Sequence, residues 1–401
     1  MSSDDVSGAS DDVLFTRRFA LACGMHFCGG MAGSLYILFP LFIRGLGGSE
    51  LIIGVYAGIT GAAAVVARLP VGRFLDTLGR RRVLLGAGAL QVTAWVGFLT
   101  FTSLGVRSAA LVVVYGLASG SLFAAYFTYA SDIIPVSRRS EGFAMFGIWG
   151  MLPNGLGPLL GEFLIARAGF HVYFIVAAGF AFVSLCLAAL LPETVGRAHR
   201  ELARTAPSDR SFPNRTILFL LGTAFMFGTA VESLFVFLAP FFYAQGRGTV
   251  GSFFMTYACS AVATRVLTGR LPDRIGLRRV LIPALFIYAC GVLLVPHIGG
   301  PHVGWAALIL VGIMTGAGHG YAFPILNALM VGQVSSAYRG RAVSWLTAMF
   351  DLGNTLANPL LGAVAHWLGY TAMFTTSGVG LLITAVVFWW RPPAEVLSSK
   401  S

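Results

Sequence analysis

Twelve apolar runs constrain what this chain can fold into. Their approximate limits are 18–43, 51–73, 82–103, 108–134, 142–166, 170–191, 216–243, 250–271, 279–298, 303–331, 341–366 and 370–390. Crossing the hydrocarbon core of a bilayer as a helix takes about 20 apolar residues at about 1.5 Å each, and every run is near that length. Backbone N–H and C=O groups find no water there, so runs of this kind must satisfy one another as helices. Composition agrees. Of the 401 residues 57% are hydrophobic and 11% charged, against about 25% charged in a soluble domain. That much apolar surface does not fit inside a soluble core, and the expected solvent is lipid. The 50 glycines suit helices that approach closely within a membrane.

Most connections between runs are short and marked by Gly, Pro or Arg. One is long: Pro192 to Arg215, with Arg197, Arg200, Arg204, Asp209 and Arg210. It divides the runs six and six. The expected layout is a tail at 1–17, a first bundle at 18–191, a central loop at 192–215, a second bundle at 216–390 and a tail at 391–401. The net charge is +11, yet of 27 basic residues only Arg44, Arg107, Arg167 and Arg247 fall at odd-numbered turns. The others sit at the termini, in even-numbered turns or at helix ends entering them. This is the positive-inside pattern, with both termini cytoplasmic and the plasma (bacterial inner) membrane as the location. Topology accounts for the basic bias, so no nucleic-acid partner is expected. The N-terminus, Met1-Ser2-Ser3-Asp4-Asp5, has no basic region ahead of the first run, and no cleaved signal peptide is expected.

The connection between runs 2 and 3 reads Gly72-Arg73-Phe74-Leu75-Asp76-Thr77-Leu78-Gly79-Arg80-Arg81-Arg82. A second version, Gly269-Arg270-Leu271-Pro272-Asp273-Arg274-Ile275-Gly276, follows 197 residues on (269 − 72) with the same Gly-x3-Asp-x2-Gly spacing. The halves repeat elsewhere. Phe39-Pro40-Leu41-Phe42 is echoed by Ala239-Pro240-Phe241-Phe242, Gly157-Pro158-Leu159-Leu160-Gly161 by Asn358-Pro359-Leu360-Leu361-Gly362, and Gly169-Phe170 by Gly369-Tyr370. The paired charged turns resemble the loop signature of the major facilitator superfamily, found between helices 2 and 3 and again between helices 8 and 9.

That resemblance implies an all-α membrane protein with the superfamily fold, 12 transmembrane helices as two pseudo-symmetric six-helix bundles. The substrate then sits between the bundles near mid-membrane. It also implies a conformational latch built from Gly72, Asp76, Gly79 and Arg80, with Gly269, Asp273 and Gly276 as the symmetric copy. Asp76 is expected to pair with nearby arginines and the N-terminal end of helix 11. Gly157, Pro158 and Gly161 in helix 5, with Asn358 and Pro359 in helix 11, are the expected hinge. Two positions depart from drug-exporting relatives: Val112 stands where helix 4 often carries an arginine, and Glu162 stands where helix 5 often carries a glycine.

A charge at the centre of a bilayer costs about 2.5–3.5 kcal/mol on insertion scales, so ionisable residues kept there mark functional sites. Four lie near mid-run: His26, Glu232, His319 and Asp351, while Glu162 and Asp132 lie nearer helix ends and weigh less. Thr347, Asp351, Asn354 and Asn358 follow steps of 4, 3 and 4 and share one helix face. Such a stripe must turn toward other helices or a wet cavity. Asp351 and Glu232 are the foremost candidates for proton coupling, and Asn354, Asn358, His319, His26, Tyr126 and Trp149 for the cavity wall. Packing alone is the commoner reading for a lone helical histidine and at least an equal one for the aromatics. No basic residue is placed at mid-membrane, which argues against an anionic substrate and for a neutral or cationic one. Cys23, Met25, His26, Cys28 and Met31 include soft ligands, but Cys23 and Cys28 face different sides of a helix; no metal site is assigned, and metal transport stays a minor alternative.

Lys400 is the only lysine, so a phosphate-binding Gly-x4-Gly-Lys-Ser/Thr loop is impossible. No metalloprotease or serine-hydrolase signature occurs, and the chain is not expected to be an enzyme or to hold a cofactor. The expectation is a monomeric secondary transporter working by alternating access, with a small-molecule substrate, protons and the lipid bilayer as partners. Proton-coupled export of a neutral or cationic amphipathic compound is the leading form. An uptake permease or facilitator, and a transport-inactive receptor or scaffold, stay open.

Overall fold

The computed structural model describes residues 13–194, 215–247, 250–269, 271–300, 302–334 and 339–390. Most of the expected tails and of the loop 192–215 lie outside them. Every regular element among the described residues is helical. The first span, α1, runs from Arg17 to Leu35, tightens into a 3-10 turn at Tyr36–Leu38 and continues as Phe39–Gly45. It is followed by α2 (Glu50–Leu78), α3 (Arg80–Phe98) and α4 (Val106–Ile133). Arg139–Leu190 is one helical stretch broken at Gly169, whose φ of 75° divides it into α5 (139–168) and α6 (170–190). The second half repeats this with α7 (Arg215–Ala244), α8 (Val250–Thr268), α9 (Leu277–Ile298) and α10 (Trp305–Val331). Arg339–Trp390 breaks at Gly369 (φ 85°) into α11 (339–368) and α12 (370–390).

Nine helices among the described residues are long and apolar enough to cross a membrane. Two of them are the stretches broken at Gly169 and Gly369, each supplying two spans. With α3, whose apolarity is diluted by Arg80, Arg81, Arg82 and Gln91, the count reaches the twelve expected from sequence. Within each half the helices meet through glycine. A methyl group on Gly116 would strike the Thr60 carbonyl of α2, and one on Gly353 the Phe225 carbonyl of α7.

The signature stretch differs from the expected loop. Helix α2 continues to Leu78, so Gly72 and Asp76 are helical and only Gly79 separates α2 from α3. Arginine and aspartate at a membrane surface need not leave the helix to meet water. Gly79 (φ 105°) and, before α9, Gly276 (φ 101°) take a left-handed conformation open to glycine. Arg80 is buried and ties this corner together. It donates to Asp76 (2.8 Å), to Asp132 of α4 (3.0 Å) and to the Leu75 carbonyl (2.7 Å). Its backbone N–H donates to Glu193 beyond α6 (2.8 Å). Asp76 therefore pairs with Arg80 inside its own half. In the second copy Gly269 follows α8, while the side chain of Asp273 lies outside the described residues.

The halves touch along two main seams, α2 against α11 and α5 against α8, with a smaller contact between the end of α1 and α7. At the first, methyl groups on Gly54 and Gly58 would meet Asn358 and Pro359. At the second, one on Gly251 would lie 2.6 Å from Leu159 Cα, and one on Gly155 2.9 Å from Met255 Cα. These contacts involve the first half of α2, the second halves of α5 and α11, and the start of α8. All lie toward the end of the bundle away from Asp76, here called the opposite face; the end carrying Asp76 and Arg80 is the signature face.

Candidate functional site

Between the halves lies a cavity of about 260 Å³ with walls from α1, α2, α4, α7 and α11, just below the range of pockets that bind small molecules, about 300–1,000 Å³. Its charged groups are Arg68, Glu232 and Asp351. Asp351 pairs with Arg68 across the α2–α11 seam. The Arg68 guanidinium carbon also lies 5.2 Å from the Phe123 ring centroid, within cation–π range. Glu232 of α7 accepts a hydrogen bond from the Asn358 amide at 3.1 Å. Nearby, the Tyr36 and Thr60 hydroxyls share a bond of 2.9 Å, and Tyr36 stacks on Tyr115 with centroids 4.0 Å apart.

The polar groups form two tiers. Asp351 and Asn358 are seven residues apart on α11, and Thr60 and Arg68 eight residues apart on α2. At about 1.5 Å per residue each separation is about 10–12 Å along the membrane normal. The tier nearer the opposite face holds Tyr36, Thr60, Glu232 and Asn358. The tier nearer the signature face holds Arg68 and Asp351.

Of the residues singled out in sequence, Asp351, Glu232 and Asn354 line the cavity, and Asn358 reaches it through Glu232. The others do not. His26 is buried inside the first half, stacked on Phe146 at 4.4 Å with Nδ1 3.2 Å from the Phe146 carbonyl. Tyr126 packs against that ring at 5.0 Å and bonds Ser184 at 3.2 Å. Trp149 meets Phe27 edge-on at 5.9 Å. His319 bonds the Tyr257 hydroxyl between α8 and α10. Gly157 and Gly161 pack α5 onto Ser34 and Leu38 of α1, whereas Asn358 and Pro359 face α2 of the other half. The two copies of the expected hinge motif thus meet different neighbours.

Arg68 corrects the reading that no basic residue sits at mid-membrane. In the sequence it falls at a helix end, because the charged stretch after it reads as a turn. With α2 helical to Leu78, Arg68 lies ten residues from that end, about 15 Å in. Continuing the helix through the charges would have found it. Glu162 also counts for more than its position in the run suggested. It accepts the N–H groups of Val250 (2.7 Å) and Gly251 (2.8 Å) at the start of α8, across the second seam. On the opposite face Arg44 donates to Glu50 (3.2 Å) and to the Tyr370 hydroxyl (3.2 Å), joining the halves there as well.

Residues 21–249 and 220–401 match the family model described as Major Facilitator Superfamily. The chain is similar to the uncharacterized MFS-type transporter YhhS of Escherichia coli, at 24% identity over 84% of each chain. It is similar to the multi-drug resistance efflux pump PmrA of Streptococcus pneumoniae, at 26% identity over 87% of this chain and 89% of the relative. Against the multidrug resistance protein MdtG of Serratia proteamaculans the identity is 26% over 91% of each. Among solved structures, a peptide transporter POT in complex with sulfate superposes with a TM-score of 0.76 at 16% identity, covering 93% of each chain. The nucleoside transporter NupG gives 0.74 at 13% identity, covering 93% of this chain and 98% of its own. At these identities the two structures speak to the fold alone.

Proposed function

Since the chain belongs to the Major Facilitator Superfamily, we propose that it exports a small neutral or cationic amphipathic compound in exchange for protons, by alternating access of the cavity. The observation that carries this is the placement of two acids and one arginine in the wall between the halves. Arg68 is matched by Asp351, so the unmatched charge in the cavity is that of Glu232, and it favours a cation. Tyr36, Tyr115, Phe39 and Phe235 offer ring faces beside it, which suit an ammonium or an apolar body. Efflux relatives at 26% identity over most of their length support export.

On this reading bundles 18–191 and 216–390 rock as two bodies, with 192–215 joining them on the cytoplasmic side. The signature face looks to the cytoplasm of an inner membrane, and the monomer is the working unit. A proton arriving at Glu232 competes with the bound cation. A proton at Asp351 removes the partner that holds Arg68 and loosens the tier nearer the signature face. Asp76, tied to Arg80 here, turns to helix 11 when the signature face closes.

The test uses cells loaded with a fluorescent lipophilic cation. Wild type extrudes the dye, Glu232→Gln slows extrusion about tenfold, and an uncoupler abolishes the difference. Tenfold corresponds to about 1.4 kcal/mol, less than the roughly 1.5–3 kcal/mol of a hydrogen bond to a charged group. Dye retention that falls when the proton gradient is collapsed would overturn export in favour of uptake.

A further inference from the structure

Glu162 stands outside the cavity and takes no part in the chemistry above. Its carboxylate leaves α5 of the first half and receives the N–H groups of Val250 and Gly251, at 2.7 and 2.8 Å, the first two residues of α8 in the second half. Those N–H groups belong to the first turn of a helix and have no partner within it. The positive end of the helix dipole adds to their attraction for an anion. Close approach makes the bond possible, because any side chain at Gly251 would run into the Leu159 backbone and push α5 away. The repeat related to Gly161 by 201 residues (362 − 161) is Gly362, so the counterpart of Glu162 is Ala363, which has no carboxylate. Among the described residues the device occurs once, in a molecule whose backbone is duplicated.

A cap donated by one half to the other persists only while the halves touch at the opposite face. We propose that Glu162 is a gating residue of the transport cycle: its carboxylate holds α5 on the start of α8 while the cavity is closed at the opposite face, and lets go each time the cavity opens there. This rests on the alternating-access reading but not on the substrate or the direction of transport. Glu162 touches no substrate; it positions α8 against α5 and sets how often the opposite face opens.

The experiment reads opening directly. In a background lacking Cys23, Cys28, Cys186, Cys259 and Cys290, a cysteine replaces Ile53, which lines the cavity near the start of α2 and is 1% exposed. A membrane-impermeant maleimide is applied to whole cells and to inverted vesicles. Val106→Cys, 90% exposed on the same face, reports which side that face looks to, so a failure of the assumed sidedness is seen separately. Glu162→Gln is expected to raise the labelling rate at position 53 about tenfold, and Glu162→Asp, too short for both N–H groups, by less. Val250→Pro removes one donor at a helix position where proline is tolerated and should act in the same direction. The double variant should gain no more than Glu162→Gln alone. Labelling unchanged in Glu162→Gln, or gains that multiply in the double variant, overturns the proposal. If Glu162→Gln is not recovered from the membrane, Val250→Pro decides it: a raised rate supports the cap and an unchanged rate refutes it.

Discussion

The α2–α11 seam and the α5–α8 seam are related by the duplication, yet they carry different chemistry. The first packs Gly54 and Gly58 against Asn358 and Pro359, and ends at the cavity in the Arg68–Asp351 ion pair. At its other end Arg44, Glu50 and Tyr370 join the halves. The second seam packs Gly155 and Gly251 against Met255 and Leu159, with Glu162 holding α8 by its N–H groups. Close backbone contact is common to both. What differs is where the charge faces: toward the cavity in the first, toward a helix terminus in the second. Duplication fixes the frame, and on the proposals above single residues divide the work: both seams close the opposite face, the first also answering to what enters the cavity through Asp351 and the second held by Glu162.

The strongest blow to that division is steric. Gly54→Leu drives a side chain into the Asn358 carbonyl, so the first seam cannot close at the opposite face. Transport should fall more than a hundredfold while the protein still reaches the membrane, and labelling at position 53 should become fast. Activity near wild type would mean that the seam does not need this contact.

Next come the ion-pair variants. Removing one member of a buried pair strands the other, at a cost of about 3–5 kcal/mol. Asp351→Asn and Arg68→Gln should each lower transport at least tenfold and reduce thermal stability in detergent. The double variant should recover stability above either single one without recovering coupled transport. Additive losses of stability would show that the two side chains act independently.

Asp76→Asn should slow transport several-fold with unchanged expression, since Arg80 keeps Asp132 and the Leu75 carbonyl. Full activity would remove Asp76 from the cycle. The smallest effect is expected of Tyr370→Phe, which loses the hydroxyl bonds to Arg44 and Glu50 at the rim of the first seam. Both partners are charged, but they sit at a partly exposed rim where such contacts contribute about 0.2–1 kcal/mol, so labelling at position 53 should rise no more than about fivefold.

Much of the fold could be read from sequence because membrane spans announce themselves by length and apolarity. The breaks at Gly169 and Gly369 are visible as paired Gly-aromatic steps. The α11 stripe was readable because Asp351, Asn354 and Asn358 stand out at helical spacing against apolar neighbours. For His26 and His319 sequence leaves packing and cavity lining both open, since helices packed on several sides show no polar face to orient them. Arg68 was hidden by a boundary: charge at a membrane surface ends the apolar run without ending the helix. The partner of Glu162 lies 88 residues away on another bundle, and only the docking of the two halves brings them together.

The central claim is that two rigid halves seal the cavity at the opposite face through these seams and part there during the cycle. Spin labels at Val106, on the first half, and at Trp305, on the second, both lie at exposed positions on that face. Pulsed electron-electron resonance between them in lipid nanodiscs measures the separation without any need to know the substrate. The account predicts two distances, the shorter matching the structure described here and the longer gaining population in Glu162→Gln. A single distance, the same in wild type and in that variant and unmoved by pH, would contradict it.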